Sequence, residues 1–246
     1  VASVRHRWVT DEPRIPFNLE VLYDDASIIV VDKPHFLATM PRGMWYRQTA
    51  LMRLRAMYDD DSIVPAHRLD RMTAGVVLFV RDPALRGAYQ TMFQEHKVEK
   101  IYECLAPAKP IARPWNGTVE FIARPNVFPL IRRSHIVKER SRLQAREIPG
   151  EPNAQTMIDL GRPPACAQGY REYVLHPCTG KTHQLRVHMN SLGLPICGDD
   201  LYPTVVDRPY DDFSTPLELV ARSLEFKDPV SGTVHRFTSK VPIGVA

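Results

Sequence analysis

Asp70 lies in the segment Pro65-Ala66-His67-Arg68-Leu69-Asp70-Arg71-Met72-Thr73-Ala74-Gly75, which runs straight into the apolar stretch Val76-Val77-Leu78-Phe79-Val80. It stands between Arg68 and Arg71, and nearby positive charge favours an ionised carboxylate. Such a carboxylate, aimed into a cleft, acts as nucleophile or general base. The plainer role is to cap a turn or to pair with one of the arginines, the commoner use of a lone aspartate in a loop. A second segment, Lys100-Ile101-Tyr102-Glu103-Cys104-Leu105, alternates as a strand, so Lys100, Tyr102 and Cys104 share one face. Tyr102 could stack on a nucleobase or exchange a proton with it, or simply be a buried sheet tyrosine.

The third segment is His176-Pro177-Cys178-Thr179-Gly180-Lys181-Thr182-His183-Gln184-Leu185-Arg186-Val187-His188. Its Gly-Lys-Thr suggests a phosphate loop, but that loop needs a second glycine at position 175, where Leu175 stands. Nucleotide triphosphate binding is therefore rejected. The remaining reading is a polar helix start presenting His183, Gln184 and Arg186 to a cleft. A metal site built on His176, Cys178, His183 and His188 matches no common zinc spacing, and the basic residues around it disfavour a cation. No metal is expected.

The elements that must position these groups are short and mostly strands. Pro13 and Pro16 break any regular element over residues 1–18, an irregular lead-in, and residues 19–246 form the remaining domain. Val21-Leu22-Tyr23 and Ser27–Val31 form a hairpin, and a helix is predicted over Thr49–Tyr58 with Leu51, Leu54 and Tyr58 on one face. Asp82-Pro83 starts a second helix, with Leu85, Ala88, Tyr89, Met92 and Phe93 facing the core. Further strands are predicted at Lys100–Leu105, Thr118–Ile122 and Tyr170–Leu175. Thr182 caps a helix from His183 to Leu192, on which Arg186 is left free of the core. Leu224–Phe226 and Val234–Thr238 close the chain as a hairpin. Strands joined as hairpins with few helices give an α+β domain on a largely antiparallel sheet.

The 246 residues are 44% hydrophobic and 24% charged, as in ordinary globular proteins, and no apolar run is long enough to span a membrane. The four cysteines, Cys104, Cys166, Cys178 and Cys197, form no CxxC pair, which points to a reducing, cytoplasmic setting. The net charge of +4 is modest. Between Ile131 and Arg146, however, Arg132, Arg133, Lys138, Arg140, Arg142 and Arg146 face only Glu139, either a phosphate-attracting patch or a solvated charged hairpin.

Together and in order, the three segments resemble the signature motifs of the RluA branch of the pseudouridine synthases. Val30-Val31-Asp32-Lys33-Pro34, Gly193-Leu194-Pro195-Ile196 with Gly198-Asp199 and Leu201-Tyr202, and Ala221-Arg222-Ser223-Leu224-Glu225-Phe226 extend the likeness over residues 19–240. The resemblance implies a cofactor-free isomerase that turns uridine in ribosomal or transfer RNA into pseudouridine. It implies a mixed, mostly antiparallel sheet with a central cleft. It implies Asp70 as catalytic carboxylate, Tyr102 packed on the uracil, Arg186 paired with Asp70, and Arg68 holding a flipped-out nucleotide. His67, Arg71, Lys100, His183, Gln184, Arg132 and Arg133 are the further RNA-binding candidates, and a monomer with neither membrane nor nucleotide partner is expected. Ala74 stands where the family commonly has serine. The upstream RNA-binding module of many relatives has no counterpart here, so substrate choice is expected from the catalytic domain, a further segment or a partner.

Two other classes compete. A non-catalytic RNA-binding module would have no need of the intact set Asp70, Tyr102 and Arg186. A retaining glycosidase-like hydrolase needs a second paired carboxylate, and none accompanies Asp70 in its motif.

Overall fold

The computed structural model describes residues 12–162 and 169–244. Its strands are β1 (Glu20–Asp24), β2 (Ile28–Lys33), β3 (Val64–Pro65), β4 (Ala74–Val80), β5 (Val98–Pro107), β6 (Thr118–Phe121), β7 (Leu130–Val137), β8 (Arg146–Ile148), β9 (Ala154–Leu160), β10 (Tyr170–Pro177), β11 (Leu219–Lys227) and β12 (Val234–Thr238). The helices are α1 (Ala50–Tyr58), α2 (Arg86–Gln94) and α3 (Gln184–Ser191). The lead-in is irregular over residues 12–18; its earlier part and Cys166 lie outside the described residues.

The strands join in one sheet of order β1-β2-β4-β11-β5-β10-β9-β7-β6, with β12, β3 and β8 pairing off that path. Among the described strand pairs only β4 and β11 run parallel, through Val220↔Ala74 and Ala221↔Gly75. This is the mixed, mostly antiparallel α+β architecture expected from the sequence.

β2 and β4 are apolar on both faces because both are covered. Ile29, Val31, Val77 and Phe79 pack under α1 through Ala50, Leu51 and Leu54. Ile28, Val30, Val76, Leu78 and Val80 pack on α2 through Tyr89 and Met92. The far half of the sheet, through Cys104, Leu130, Ile158 and Leu175, packs against Leu185 and Met189 of α3 and Leu192 just after it. Tyr102 borders both the α1 and the α3 cores, and the cleft opens there.

Helix starts follow the side-chain chemistry unevenly. Thr49 caps α1, its hydroxyl accepting from the Met52 N–H at 3.3 Å. Asp82 caps only a 3-10 turn, Pro83–Leu85, and α2 begins after it, with Ala88 exposed and Phe93 half-buried at the cleft. Thr182 does not cap α3: His183 occupies the cap in the left-handed region (φ 57°) with no side-chain cap bond. Gln184 does the work instead, its Oε1 accepting from the Lys181 N–H at 3.0 Å and the Thr179 hydroxyl at 2.7 Å.

Gly75 makes the β4–β11 junction possible. At φ 116° it lies where L side chains are strained, and a Cβ there would come within 2.3 Å of the Ala221 carbonyl oxygen. The chain can therefore leave the Asp70 loop and enter the sheet directly beside β11.

Candidate active site

The Asp70 loop is anchored on both sides of its aspartate. Before it, Leu69 is buried, its N–H donates to the Thr39 hydroxyl at 3.1 Å, and that hydroxyl donates back to the Leu69 carbonyl at 2.9 Å. After it, Lys33 Nζ donates to the Arg71 carbonyl at 3.3 Å and His35 Nδ1 donates to the Met72 carbonyl at 2.8 Å. Lys33 is wholly buried and also donates to the carbonyls of Pro34 and Leu37; burial pushes its pKa down to about 7 against the pull of Asp70. Burial likewise lowers His35 to about 4, so its imidazole is neutral at pH 7. The backbone is thus fixed while the Asp70 carboxylate, 35% exposed, accepts no hydrogen bond from a described side chain. The His183 ring lies beside it, with Nε2 at 3.9 Å from Oδ2.

The carboxylate faces a cleft of about 630 Å³. Gln90, Phe93, Gln94 and His96 line one wall, and residues 179–186 line the other. Tyr102 and Lys100 of β5 also line it, and Arg68 stands exposed near Asp70 in the chain. Burial, and then the Asp70 charge, push the Tyr102 phenol well above its ordinary range, so it stays protonated at neutral pH. Burial lowers the Lys100 pKa. His67 lines the cleft as well, but its Nε2 accepts from the Leu78 N–H at 3.2 Å and its ring stacks on Phe93 at 4.3 Å. Burial brings His67 to about 3, so it contributes a neutral ring and no cation.

Five sequence-predicted residues sit differently from expectation. Arg186 is buried at the cleft but pairs with acids other than Asp70. Its Nε and Nη2 donate to Asp199 at 2.9 and 2.5 Å, and Nη2 donates to Asp200 at 2.6 Å. Burial alone would lower its pKa, yet Asp199, Asp70 and Asp200 together raise it, so the charge is permanent. The Gln184 amide spends all four of its bonding positions on Thr179, Lys181, Gln155 and Thr156 and holds the 179–183 loop. Arg71 turns out of the cleft and lies over the Trp45 ring at 5.7 Å.

Arg132 is the clearest correction. It points inward from β7 with Leu130, Ser134 and Ile136, has no exposed side-chain surface, and donates from Nη2 to both Glu147 carboxylate oxygens at 2.7 Å. Arg133 is half-buried and pairs with Glu120 at 2.6 Å, while Arg142 and Arg146 both pair with Glu139. Four of the six basic residues therefore have acid partners, and two of those partners, Glu120 and Glu147, lie outside the window that made the segment look so strongly charged. Arg132→Met should lower stability by about 3–5 kcal/mol by orphaning Glu147. The salt dependence of RNA affinity should not change, because no phosphate contact is lost. A smaller salt slope, measured in a titration of binding against ionic strength, would return Arg132 to the RNA surface.

Sequence reasoning missed the Asp199–Asp200 pair as the partner of Arg186 and Tyr202 as the partner of His183. Both fall in the Gly198-Asp199 and Leu201-Tyr202 stretch, whose polar residues carried the signal.

The family model described as RNA pseudouridylate synthase matches residues 27–191. Over 215 residues the chain is 32% identical to the dual-specificity RNA pseudouridine synthase RluA of Vibrio vulnificus, covering 86% of this chain and 79% of the relative. It is 30% identical to an uncharacterized RNA pseudouridine synthase of Synechocystis, covering 80% of this chain but only 62% of that protein's length. The solved structure of human RNA pseudouridylate synthase domain containing 1 shares the fold, with TM-score 0.62, 22% identity, and coverage of 94% of this chain and 87% of that one. Motif order, sheet and relatives agree, and the chain belongs to the RluA branch of the RNA pseudouridine synthase family.

Proposed function

We propose that this protein isomerises specific uridines in structured RNA, ribosomal or transfer, to pseudouridine, with Asp70 as the catalytic carboxylate. The observation that carries the reading is a carboxylate that accepts no hydrogen bond from a described side chain, on a loop fixed at both ends, facing a cleft that Tyr102 also lines.

Isomerisation breaks the N1–C1′ bond, turns the uracil and forms a C5–C1′ bond. Asp70 attacks C1′ or removes the C2′ proton, and either route brings the C1′–C2′ edge of the ribose to its carboxylate. The target base must leave its stack to reach the cleft. Tyr102, neutral at pH 7, offers the uracil a flat stacking face and a hydroxyl. The permanent charge of Arg186 attracts the Asp70 carboxylate through space, and the bound nucleotide must itself exclude water so that water does not intercept the sugar intermediate. Arg68 and Lys100 are the cations placed to hold RNA at the cleft. Uridine and pseudouridine are isomers, so the reaction needs no redox group or nucleotide. One chain supplies every group invoked, as a cytoplasmic monomer.

The experiment is a pseudouridine map of total cellular RNA with and without the gene. Loss of one or a few discrete sites, restored by the wild-type protein, is expected. An identical map in both strains would sink the proposal.

A further inference from the structure

His183 holds a strained backbone position beside Asp70. Its backbone is left-handed (φ 57°, ψ 17°), a conformation unfavourable for a residue with a Cβ, and its side chain caps nothing. The ring is placed in the cleft with Nε2 at 3.9 Å from Asp70 Oδ2.

The other ring nitrogen fixes the tautomer. Nδ1 lies 3.1 Å from the Tyr202 hydroxyl, and that hydroxyl donates its single proton to the Ala145 carbonyl at 2.8 Å. A carbonyl only accepts, so the Tyr202 oxygen must accept from His183, and the imidazole proton sits on Nδ1. Nε2 then carries a lone pair. Burial lowers the His183 pKa, Arg186 and Lys138 act in the same direction, and Asp70 and Asp199 oppose them. The neutral ring therefore faces the Asp70 carboxylate, acceptor against acceptor at 3.9 Å, and the pair is open to a donor from outside.

We propose that this donor is the 2′-hydroxyl of the target nucleotide, and that His183 with Asp70 makes the site require ribose. The proposal rests on the synthase reading given above. An internal uridine carries only two proton donors, N3–H and the 2′-hydroxyl. Asp70 works at the C1′–C2′ edge, next to the 2′-hydroxyl, while N3–H lies on the far side of the ring from that edge. The hydroxyl can donate to one of the two acceptors and sit against the other. Deoxyribose leaves both unanswered in a partly buried site, which costs binding in the reacting geometry.

The test uses an RNA oligonucleotide spanning a uridine found by the mapping experiment, made with ribose or 2′-deoxyribose at that single position. Single-turnover rates are measured for wild type, for His183→Asn, whose asparagine tolerates the left-handed backbone, and for Tyr202→Phe, which frees the tautomer. Wild type should convert the ribose form at least about tenfold faster than the deoxy form, as expected for one lost hydrogen bond. His183→Asn should lose most of that ratio by slowing on ribose alone, and Tyr202→Phe should lose part of it. An undiminished ratio in both variants, or no ratio in wild type, would overturn the role of His183. Failure of wild type to convert the ribose form would instead strike the synthase reading itself.

Discussion

Replacing Asp70 with asparagine is expected to stop pseudouridine formation, by roughly 10⁴-fold or more, while changing RNA affinity by less than about threefold. The substitution keeps the shape of the side chain and removes only its charge and nucleophilicity. Because the carboxylate accepts no hydrogen bond from a described side chain, no partner is left orphaned and the melting temperature should stay near that of wild type. The loop is held by Thr39, Lys33 and His35, none of which touches the Asp70 carboxylate, so the cleft keeps its form. Single-turnover conversion measured beside a filter-binding titration separates the two effects. Turnover within tenfold of wild type would remove Asp70 from the chemistry.

Arg186→Met should be the most disruptive single change at the site, and for two separable reasons. Its guanidinium is 3% exposed and its bidentate partner Asp199 is 1% exposed. Removing it leaves a buried carboxylate unpaired, a loss of about 3–5 kcal/mol. In a chain of this size that lowers the melting temperature by roughly 10 °C. It also removes the charge that attracts Asp70, which should slow turnover by a further factor of roughly 10². The double variant Arg186→Met/Asp199→Asn distinguishes them. Asparagine relieves the orphan charge, and its side-chain oxygen can still accept from the Leu201 and Tyr202 N–H groups that Asp199 Oδ1 holds at 2.8 and 2.9 Å. Much of the stability should return and turnover should not. If both return together, Arg186 serves the fold alone.

Those variants touch the part of the protein that sequence patterns describe least well. β2, β4, the first helix and the mostly antiparallel sheet were legible because apolar runs and helical periodicity act locally. β7 was hidden because one of its inward residues is Arg132, and a charged residue at a core position breaks the alternation that marks a strand. The acid that neutralises it, Glu147, lies on β8, fifteen residues away, so counting charges in a window misplaced the electrostatics. Arg186 and Gln184 looked available for ligands because a helical wheel assumes one solvent face. α3 is instead buried from Gln184 to Met189, and its polar residues are bonded to the protein. Asp70, Tyr102 and His183 could be found because they line a cleft, where polar groups remain free for another molecule.

The strand order has a consequence for when the enzyme comes into being during synthesis. Asp70 sits on the loop that leads into β4, in the part β1-β2-β4 of the sheet, and Tyr102 sits in another, β5-β10-β9-β7-β6. The strand between β4 and β5 is β11, residues 219–227, which the ribosome makes last among the strands of that path. Until it inserts, the carboxylate and the tyrosine belong to ribbons with no ladder between them, and pairings so distant in sequence form slowly. A nascent or prematurely ended chain therefore carries every motif in the Asp70, Tyr102 and His183 segments without the distances that make them a site. The cleft that would receive RNA therefore takes shape only once residues 219–227 have been made and paired.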